Sequence, residues 1–433
     1  MCKTREEKNK QIAQTIKATY EKRASQVCRV FTVKIQDNQL SKVQKEQLKM
    51  IFVEAKWLKN SILAWIKENP ENKVWDYDTK KKTIIHKDKD MNDVEVELKY
   101  IPASVKQCVQ SEIISNIRTI ITLQKKGFQS GGHLKFVKEV SSVNFKQYGK
   151  THKIISSKRI KLQGISGSLM VNGLKQFLNK NLEYANAKLL NTPQGYYVQF
   201  TTYVDKSKIA NKQTNGKVLG IDFGCETSFT TSEGEKIEAS VQESERIKRL
   251  SLRMNKRQKK GSKNWWRTVH LLRKEYQKLT NQKNDLANKL VAKFSEYDTV
   301  IIQDEQLSNW HKGNHGKKVQ RSVLGRVKSK LLLKSNVVVL SKNCPTTKLC
   351  TKCGQWHDEM RVWNRIFKCD CGVEMDRDIH AAQNMVWFYE NKVGVGRTNF
   401  KRVEIKALVS EALASGIKLE SVKHEADMAL ACQ

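Results

Sequence analysis

The sequence predicts a multidomain α/β chain, and three observations carry that prediction. Two apolar, strand-like runs end in carboxylates: Lys217-Val-Leu-Gly-Ile-Asp222, and Thr299-Val-Ile-Ile-Gln303 followed by Asp304 and Glu305. A long, basic, helix-patterned stretch separates them, and strands alternating with helices build a sheet covered by helices. Four cysteines then occur as Cys350-x2-Cys353 and Cys369-x-Cys371, and lead into a helix start that carries Asp376 and Asp378.

With 433 residues the chain has room for roughly two to four domains. Lys and Arg number 80 against 44 Asp and Glu, a formal charge of +36. That excess points to a polyanionic partner, nucleic acid first, and away from an ordinary enzyme of small molecules. No apolar run reaches the roughly 18 residues of a membrane span, and Met1-Cys-Lys-Thr-Arg-Glu-Glu-Lys8 lacks the apolar core of a signal peptide. No membrane association is therefore expected. Ten cysteines in so long a chain do not form a disulfide scaffold. Cys2, Cys28, Cys108, Cys225, Cys344 and Cys432 are scattered and read as reduced thiols, which points to the cytoplasm, or a nucleus where there is one.

In order, residues 1–26 read as a basic arm and 27–36 as a strand. Ser41 opens a helix with Gln44 completing a capping box; Leu48, Ile51, Phe52, Ala55, Leu58 and Ile62 form its apolar face. Thr83–Ile85 and Val94–Leu98 flank a polar turn at 88–93, a hairpin. Pro102 opens a second helix, with Val109, Ile113, Ile117, Ile120 and Ile121 on one face, closed by Lys125-Lys-Gly127. Strands at 133–137, 159–162 and 196–204, with one short helix near 173–179, predict a β-domain that the strand at 27–36 completes. Residues 205–216 read as a linker. The second half opens with three strands from Lys217, turning at Gly224 and Gly234. The helical stretch 246–289 holds 15 Lys or Arg against Glu275 and Asp285 and breaks at Lys259-Lys-Gly-Ser-Lys263. Such a run is either a solvated face or a track for a phosphate backbone; Trp265 and Trp266 are either packing residues or a stacking platform. A strand at 300–303, a basic loop at 310–318 suited to a lid, a helix at 322–334, a strand at 337–340 and, past the cysteines, a helix at 376–390 complete the pattern. The tail holds one short amphipathic helix, with Ile405, Leu408, Val409 and Ala412, stopped at Gly416.

The four thiolates predict tetrahedral Zn²⁺, with Cys344 and His357 as alternative ligands. Such a closed site does no chemistry, but it positions the carboxylate that follows. Carboxylates converging from separate strand ends repel one another unless a cation lies between them. Mg²⁺ suits such a cluster, and paired Mg²⁺ hydrolyses phosphodiesters. The order strand–Asp, basic helix, strand–Glu, Asp at a helix start is that of an RNase H-type fold. Asp304 competes with Glu305, and adjacent residues of an extended run point to opposite faces, so one of them reaches the metal. Asp376 competes with Asp378 in the same way.

Gly220-Ile-Asp-Phe-Gly224, Lys260-Gly-Ser-Lys263, Ile302-Gln-Asp-Glu-Gln-Leu307, Thr346-Thr-Lys-Leu-Cys-Thr-Lys-Cys-Gly354 and Asp376-Arg-Asp-Ile-His-Ala-Ala-Gln-Asn384 resemble the RuvC and zinc-ribbon blocks of TnpB proteins and of the miniature type V-F CRISPR effectors. The resemblance covers 217–390 by motif and 27–205 by architecture. It implies a RuvC-like nuclease domain of RNase H type with an inserted zinc ribbon, and an N-terminal β-barrel wedge domain carrying a helical recognition insert. The implied boundaries are 1–40 for the arm and first wedge strand, 41–128 for the recognition domain, 129–215 for the wedge and linker, 216–343 and 375–392 for the nuclease, 344–374 for the ribbon and 393–433 for the tail. It implies Mg²⁺ on Asp222, Glu305 and Asp378, and Zn²⁺ on Cys350, Cys353, Cys369 and Cys371. Nucleic-acid contacts fall on Lys256, Arg257, Lys259 and Lys260. Glu305 is favoured by Leu307 two residues on, and Asp378 by the Asp-x-Asn pattern, from which His380 departs. The implied activity is RNA-guided cleavage of double- and single-stranded DNA in a prokaryotic cytoplasm, in antiviral defence or in transposition; a non-cleaving zinc regulator is the alternative. A homodimer on one guide RNA is a further expectation; the apolar face of the helix at 41–69 is either its contact or packed on its own domain.

Overall fold

The structure, a computed structural model, describes residues 5–87, 92–125, 127, 134–178, 181–206, 214–311, 315–361, 363–395, 404 and 407–411. It divides into two compact units, Met1–Ala210 and Asn211–Gln433. Among the described residues no helix is long and apolar enough to cross a membrane.

The first unit contains helices α1 (Arg5–Ala24), α2 (Lys42–Glu68) and α3 (Ala103–Lys125) and strands β1 (Gln26–Ile35), β2 (Thr83–Lys87), β3 (Asp93–Glu97), β4 (Ser142–Phe145), β5 (His152–Ser156), β6 (Arg159–Leu162), β7 (Leu169–Asn172), β8 (Glu183–Thr192) and β9 (Gly195–Asp205). Seven strands form one sheet in the order β4-β8-β9-β1-β7-β6-β5, every pairing antiparallel. The early strand does complete the later β-domain, since β1 lies between β9 and β7. β2 and β3 form the expected hairpin; residues 88–91 of its turn lie outside the described residues.

Ser41 caps α2 with the reciprocal Gln44 box. Buried Glu54 accepts the backbone N–H groups of Lys99, Tyr100 and Ile101 at 2.8–3.1 Å, fixing the turn that enters α3. The apolar faces of α2 and α3 join the sheet in a single core containing Ile51, Phe52, Leu58, Val109, Ile113, Val198 and Phe200. Three expectations are corrected here. Ile51, Phe52 and Leu58 are covered within their own unit, so this face of α2 is not a dimer contact. The helix near 173–179 is only a 3-10 turn, Leu174–Gln176, entered through Gly173 at φ +104°; Asn179 lies outside the described residues. The strand expected at 133–137 is irregular from Leu134 to Val137, and His133 is outside the described residues.

The second unit is a three-layer arrangement. β10 (Val218–Phe223), β11 (Phe229–Thr231), β12 (Lys236–Ile237), β13 (Thr299–Gln303) and β14 (Val337–Leu340) form a sheet in the order β12-β11-β10-β13-β14. β10 to β12 are an antiparallel meander, and β10, β13 and β14 run parallel. The helices are α4 (Glu245–Leu252), α5 (Lys263–Phe294), α6 (Leu307–Trp310), α7 (Gly316–Arg321), α8 (Leu324–Leu331) and α9 (Arg377–Glu390); β15 (Ile366–Lys368) and β16 (Glu374–Asp376) form a ribbon before α9. Side-chain alternation sorts the faces. Leu219, Ile221, Phe223, Val300 and Ile302 pack with Leu290, Phe294, Val327 and Leu331 of α5 and α8. Val218, Ile301 and Leu340 pack with Met385 and Phe388 of α9. The long basic region is interrupted where expected: α4 passes into a π-helical turn, Arg253–Arg257, and α5 restarts after Gly261. The loop expected at 310–318 holds the ends of α6 and α7, and Gly313 lies outside the described residues. In the tail, 407–411 is helical, and Ile405, Ala412 and Gly416 are outside the described residues.

Among the glycines described in this unit, Gly220 is approached most closely by another backbone. A Cβ there would lie 2.1 Å from the carbonyl oxygen of Ala382 in α9. Gly220→Ala should destabilise the protein by about 1–3 kcal/mol or more, as overpacking does. Gly325→Ala, where no atom lies within 4 Å of the new methyl, should be neutral or gain up to about 1 kcal/mol in α8. Denaturant unfolding of the two variants checks the contrast.

Candidate active site

Asp222 lies near the end of β10. On the β10 strand it shares the face of Val218 and Gly220, the face that α9 covers. Glu305 follows β13 by two residues. The alternation continues past the strand end: Gln303 points to the α9 side, where it contacts the carbonyl of Cys344, and Asp304 points to α8, where Lys328 Nζ donates to it at 3.1 Å. Lys328 also donates to the Glu305 carbonyl at 2.6 Å and pins the turn. Asp304 is thus engaged by Lys328, while Glu305 acts electrostatically on Asp222.

At the third position Asp376 is the N-cap of α9. Its carboxylate accepts the N–H groups of Asp378 and Ile379 at 3.1 and 3.2 Å, and Lys236 donates to it at 2.7 Å. Asp378, in the first turn, acts on Asp222 and receives Arg377 Nη2 at 2.8 Å. His380 faces elsewhere. It is buried and stacked on Phe367 at 3.7 Å, and burial holds its pKa down at about 4, so it is a neutral core residue.

Asp222, Glu305 and Asp378 are each partly exposed. Burial, then Asp378 and Glu305, raise the Asp222 pKa to about 8, with Arg377 opposing. Burial also raises Glu305, against the pull of Lys328. Among the described residues only the cysteine quartet draws three or more ligand atoms within 4.8 Å, so the three carboxylates are not all within that distance of one another. Carboxyl oxygens brought from three segments suit a hard divalent cation that keeps several waters. A cleft of about 360 Å³ lined by Cys225, Glu226, His315, Lys317 and Lys318 lies beside Glu305, which acts on the Cys225 thiol.

The four cysteine sulfurs lie within 4.8 Å of one another, Cys350 to Cys371 at 3.6 Å and Cys353 to Cys369 at 3.4 Å. Four Zn–S bonds of about 2.3 Å at tetrahedral angles put sulfurs about 3.8 Å apart, so the quartet fits that ion. The short Cys369-x-Cys371 knuckle closes because Gly372 follows it at φ +87°. Cys344 is buried against Gly394, and His357 pairs with Glu359; neither joins the quartet.

Lys256, Arg257, Lys259 and Lys260 are all exposed. Arg253, Arg257, Gln258, Lys259, Ser262 and Asn264 line an open cleft of about 540 Å³ at the start of α5. Trp266 is 54% exposed and meets the partly buried Trp265 edge to face. Sequence reasoning missed Arg377 and Lys328, as well as the buried polar residues Gln303, Thr346 and Asn384. The available signal was polar side chains inside apolar runs.

Two family models match the chain: "Probable transposase", of the OrfB/IS605 kind, over residues 200–309, and "Cas12f1-like, TNB domain" over residues 324–385. A curated protein of Streptomyces pristinaespiralis, named "Putative RNA-guided DNA endonuclease", is 28% identical over 196 residues, which are 43% of this chain and 49% of that protein. The chain thus spans about half the length of the curated relative it matches. A solved Cas12f1–sgRNA–target DNA complex aligns at a TM-score of 0.45 and 15% identity, over 79% of this chain and 81% of that one. The two family models and the curated relative bear out the resemblance seen in the motifs: the chain is similar to TnpB- and Cas12f-type nucleases.

Asp222 generates a stability prediction. Its folded pKa of about 8 exceeds the ordinary 3.8, so between these values the folded state holds a proton that the unfolded state has lost. Stability from this group is complete below about pH 4 and is lost as pH rises through about 8. In divalent-free buffer at pH 8, Asp222→Asn should therefore raise the unfolding midpoint above wild type, and the difference should vanish near pH 4. Thermal scans at the two pH values check this.

Proposed function

We propose that this chain is an RNA-guided DNA endonuclease in which Asp222, Glu305 and Asp378 hold Mg²⁺. The observation that supports the proposal is the electrostatic action of Asp378 and Glu305, from separate segments, on Asp222 in a strongly basic chain. When bound, paired Mg²⁺ supplies an activated water and stabilises the departing 3′-oxygen. Asp222 and Glu305 supply anionic oxygens from the sheet, and Asp378 supplies a third from α9. Arg377 holds Asp378 in place, and Lys328 fixes the turn that presents Glu305. The sheet of the second unit would then be an RNase H-like RuvC core, and 344–374 a zinc ribbon on Cys350, Cys353, Cys369 and Cys371. The seven-stranded sheet and the helices α2 and α3 would be a wedge and its recognition insert.

Guide RNA would supply sequence specificity by pairing with one DNA strand, leaving the protein to grip backbone and read a short flanking motif. Lys256, Arg257, Lys259 and Lys260, around the cleft at the start of α5, are assigned to phosphate contact. A type V-F effector and a transposon-encoded TnpB share this chemistry. A repeat array beside the gene identifies the first, and transposon ends identify the second.

Labelled DNA should be cut by protein purified with its RNA. Asp222→Ala or Glu305→Ala should lower the rate more than about 100-fold, beyond the 10–100-fold typical of losing a group that only supports a ligand, while guided binding persists. Cutting at the wild-type rate by either variant would refute the metal assignment. Duplex affinity should fall with salt at a slope of about −0.9 per phosphate contacted. Changing Lys256, Arg257, Lys259 and Lys260 together to Gln should make that slope shallower by up to about 3.6, measured by titration at several salt concentrations.

A further inference from the structure

Gln303, Thr346 and Asn384 form a buried polar bridge that the carboxylates and cysteines do not themselves require. Gln303 ends β13, Thr346 lies in the segment between β14 and the first cysteine pair, and Asn384 sits in α9. Their exposures are 4%, 4% and 1%. Gln303 Nε2 donates to the carbonyls of Ser341 and Cys344 at 3.1 and 2.7 Å, and Thr346 Oγ1 donates to Gln303 Oε1 at 3.3 Å. Asn384 Nδ2 donates to the carbonyls of Thr346 and Leu349 at 2.7 and 2.8 Å, and its Oδ1 accepts Thr351 Oγ1 at 3.0 Å.

The surrounding core is apolar, built from Ile301, Leu340, Leu349, Met385 and Phe388. Burial alone would be served there by apolar side chains. A satisfied polar network in such a place fixes one arrangement, because a slipped one leaves buried groups unpaired. The chain positions show what is fixed. Gln303 precedes Glu305 by two residues, Asn384 lies six residues beyond Asp378 on the same helix, and Leu349 adjoins Cys350.

The geometry points to a positioning role: the Gln303–Thr346–Asn384 bridge sets the separation of Glu305 and Asp378 and ties it to the first cysteine knuckle. Loosening the bridge weakens cation binding at the carboxylates while every ligand remains. This rests on the carboxylates being a cation site. Residues that orient ligands typically change metal affinity 10–100-fold when lost.

Thr346→Val is the direct test. It deletes the hydroxyl that donates to Gln303 and keeps the shape and the main-chain carbonyl that Asn384 grips. Thr346→Ser keeps the hydroxyl. Thr351→Val, at a half-buried position, is a milder lesion at the other end of the bridge. Mn²⁺ binding to the full-length protein is measured by electron paramagnetic resonance, with zinc per chain determined on the same samples. Thr346→Val should weaken Mn²⁺ binding by about 10-fold or more with zinc unchanged. Thr351→Val should shift it less in the same direction, and Thr346→Ser should stay within about twofold of wild type. The Mg²⁺ concentration for half-maximal cutting should rise with the Mn²⁺ dissociation constant, which a loss of folded protein alone would not produce. Unchanged Mn²⁺ affinity in Thr346→Val overturns this inference alone, as does unchanged affinity in Thr351→Val if Thr346→Val does not fold. Wild-type protein that binds Mn²⁺ no better than Asp222→Asn overturns it together with the metal assignment.

Discussion

Backbone meets backbone where α9 crosses β10, and the second unit depends on that contact. Gly220 has no side chain, so the Ala382 carbonyl can lie where a Cβ would otherwise be. Ala382 is one helical turn from Asp378, and Gly220 is two residues from Asp222 on the same strand face. The approach therefore brings Asp378 to Asp222. Asp376 caps the helix and gives it a defined start, and the parallel pairing of β10 with β13 brings Glu305 alongside.

The site works against the stability of the fold that contains it. Partial burial and two neighbouring carboxylates make ionised Asp222 costly, and one guanidinium, Arg377, offsets only part of that cost. A cation that fits among the three acids would relieve the conflict, so binding and folding are linked at this point. Lys328 and Lys236 act differently. They engage Asp304 and Asp376, the acids nearest in sequence to Glu305 and Asp378.

Much of this was legible in the sequence, for physical reasons. Alternation along Ile301–Glu305 separates Asp304 from Glu305, and the structure follows it. The Ser41–Gln44 box, the break before Lys263 and the four-cysteine pattern are local signals, and each appears where expected. What could not be read depends on contacts distant in sequence. The apolar face of α2 has the same pattern whether it packs on its own sheet or on a second copy, and only the fold shows that it packs on the sheet. His380 occupies a position that the motif gives to Asn, but its stacking on Phe367 requires knowing where the cysteine ribbon folds back. The segment after Gly173 has the composition of a helix but makes a single turn, ending where Phe177 leaves helical geometry. The bridge through Gln303, Thr346 and Asn384 joins three segments that nothing local connects.

The most direct measurement is anomalous scattering from crystals of the protein soaked in Mn²⁺. The account predicts a peak in the space bounded by Asp222, Glu305 and Asp378, lost in Asp222→Asn crystals, with a separate zinc peak among Cys350, Cys353, Cys369 and Cys371. Fully ordered carboxylates with no manganese between them at saturating Mn²⁺ would contradict it.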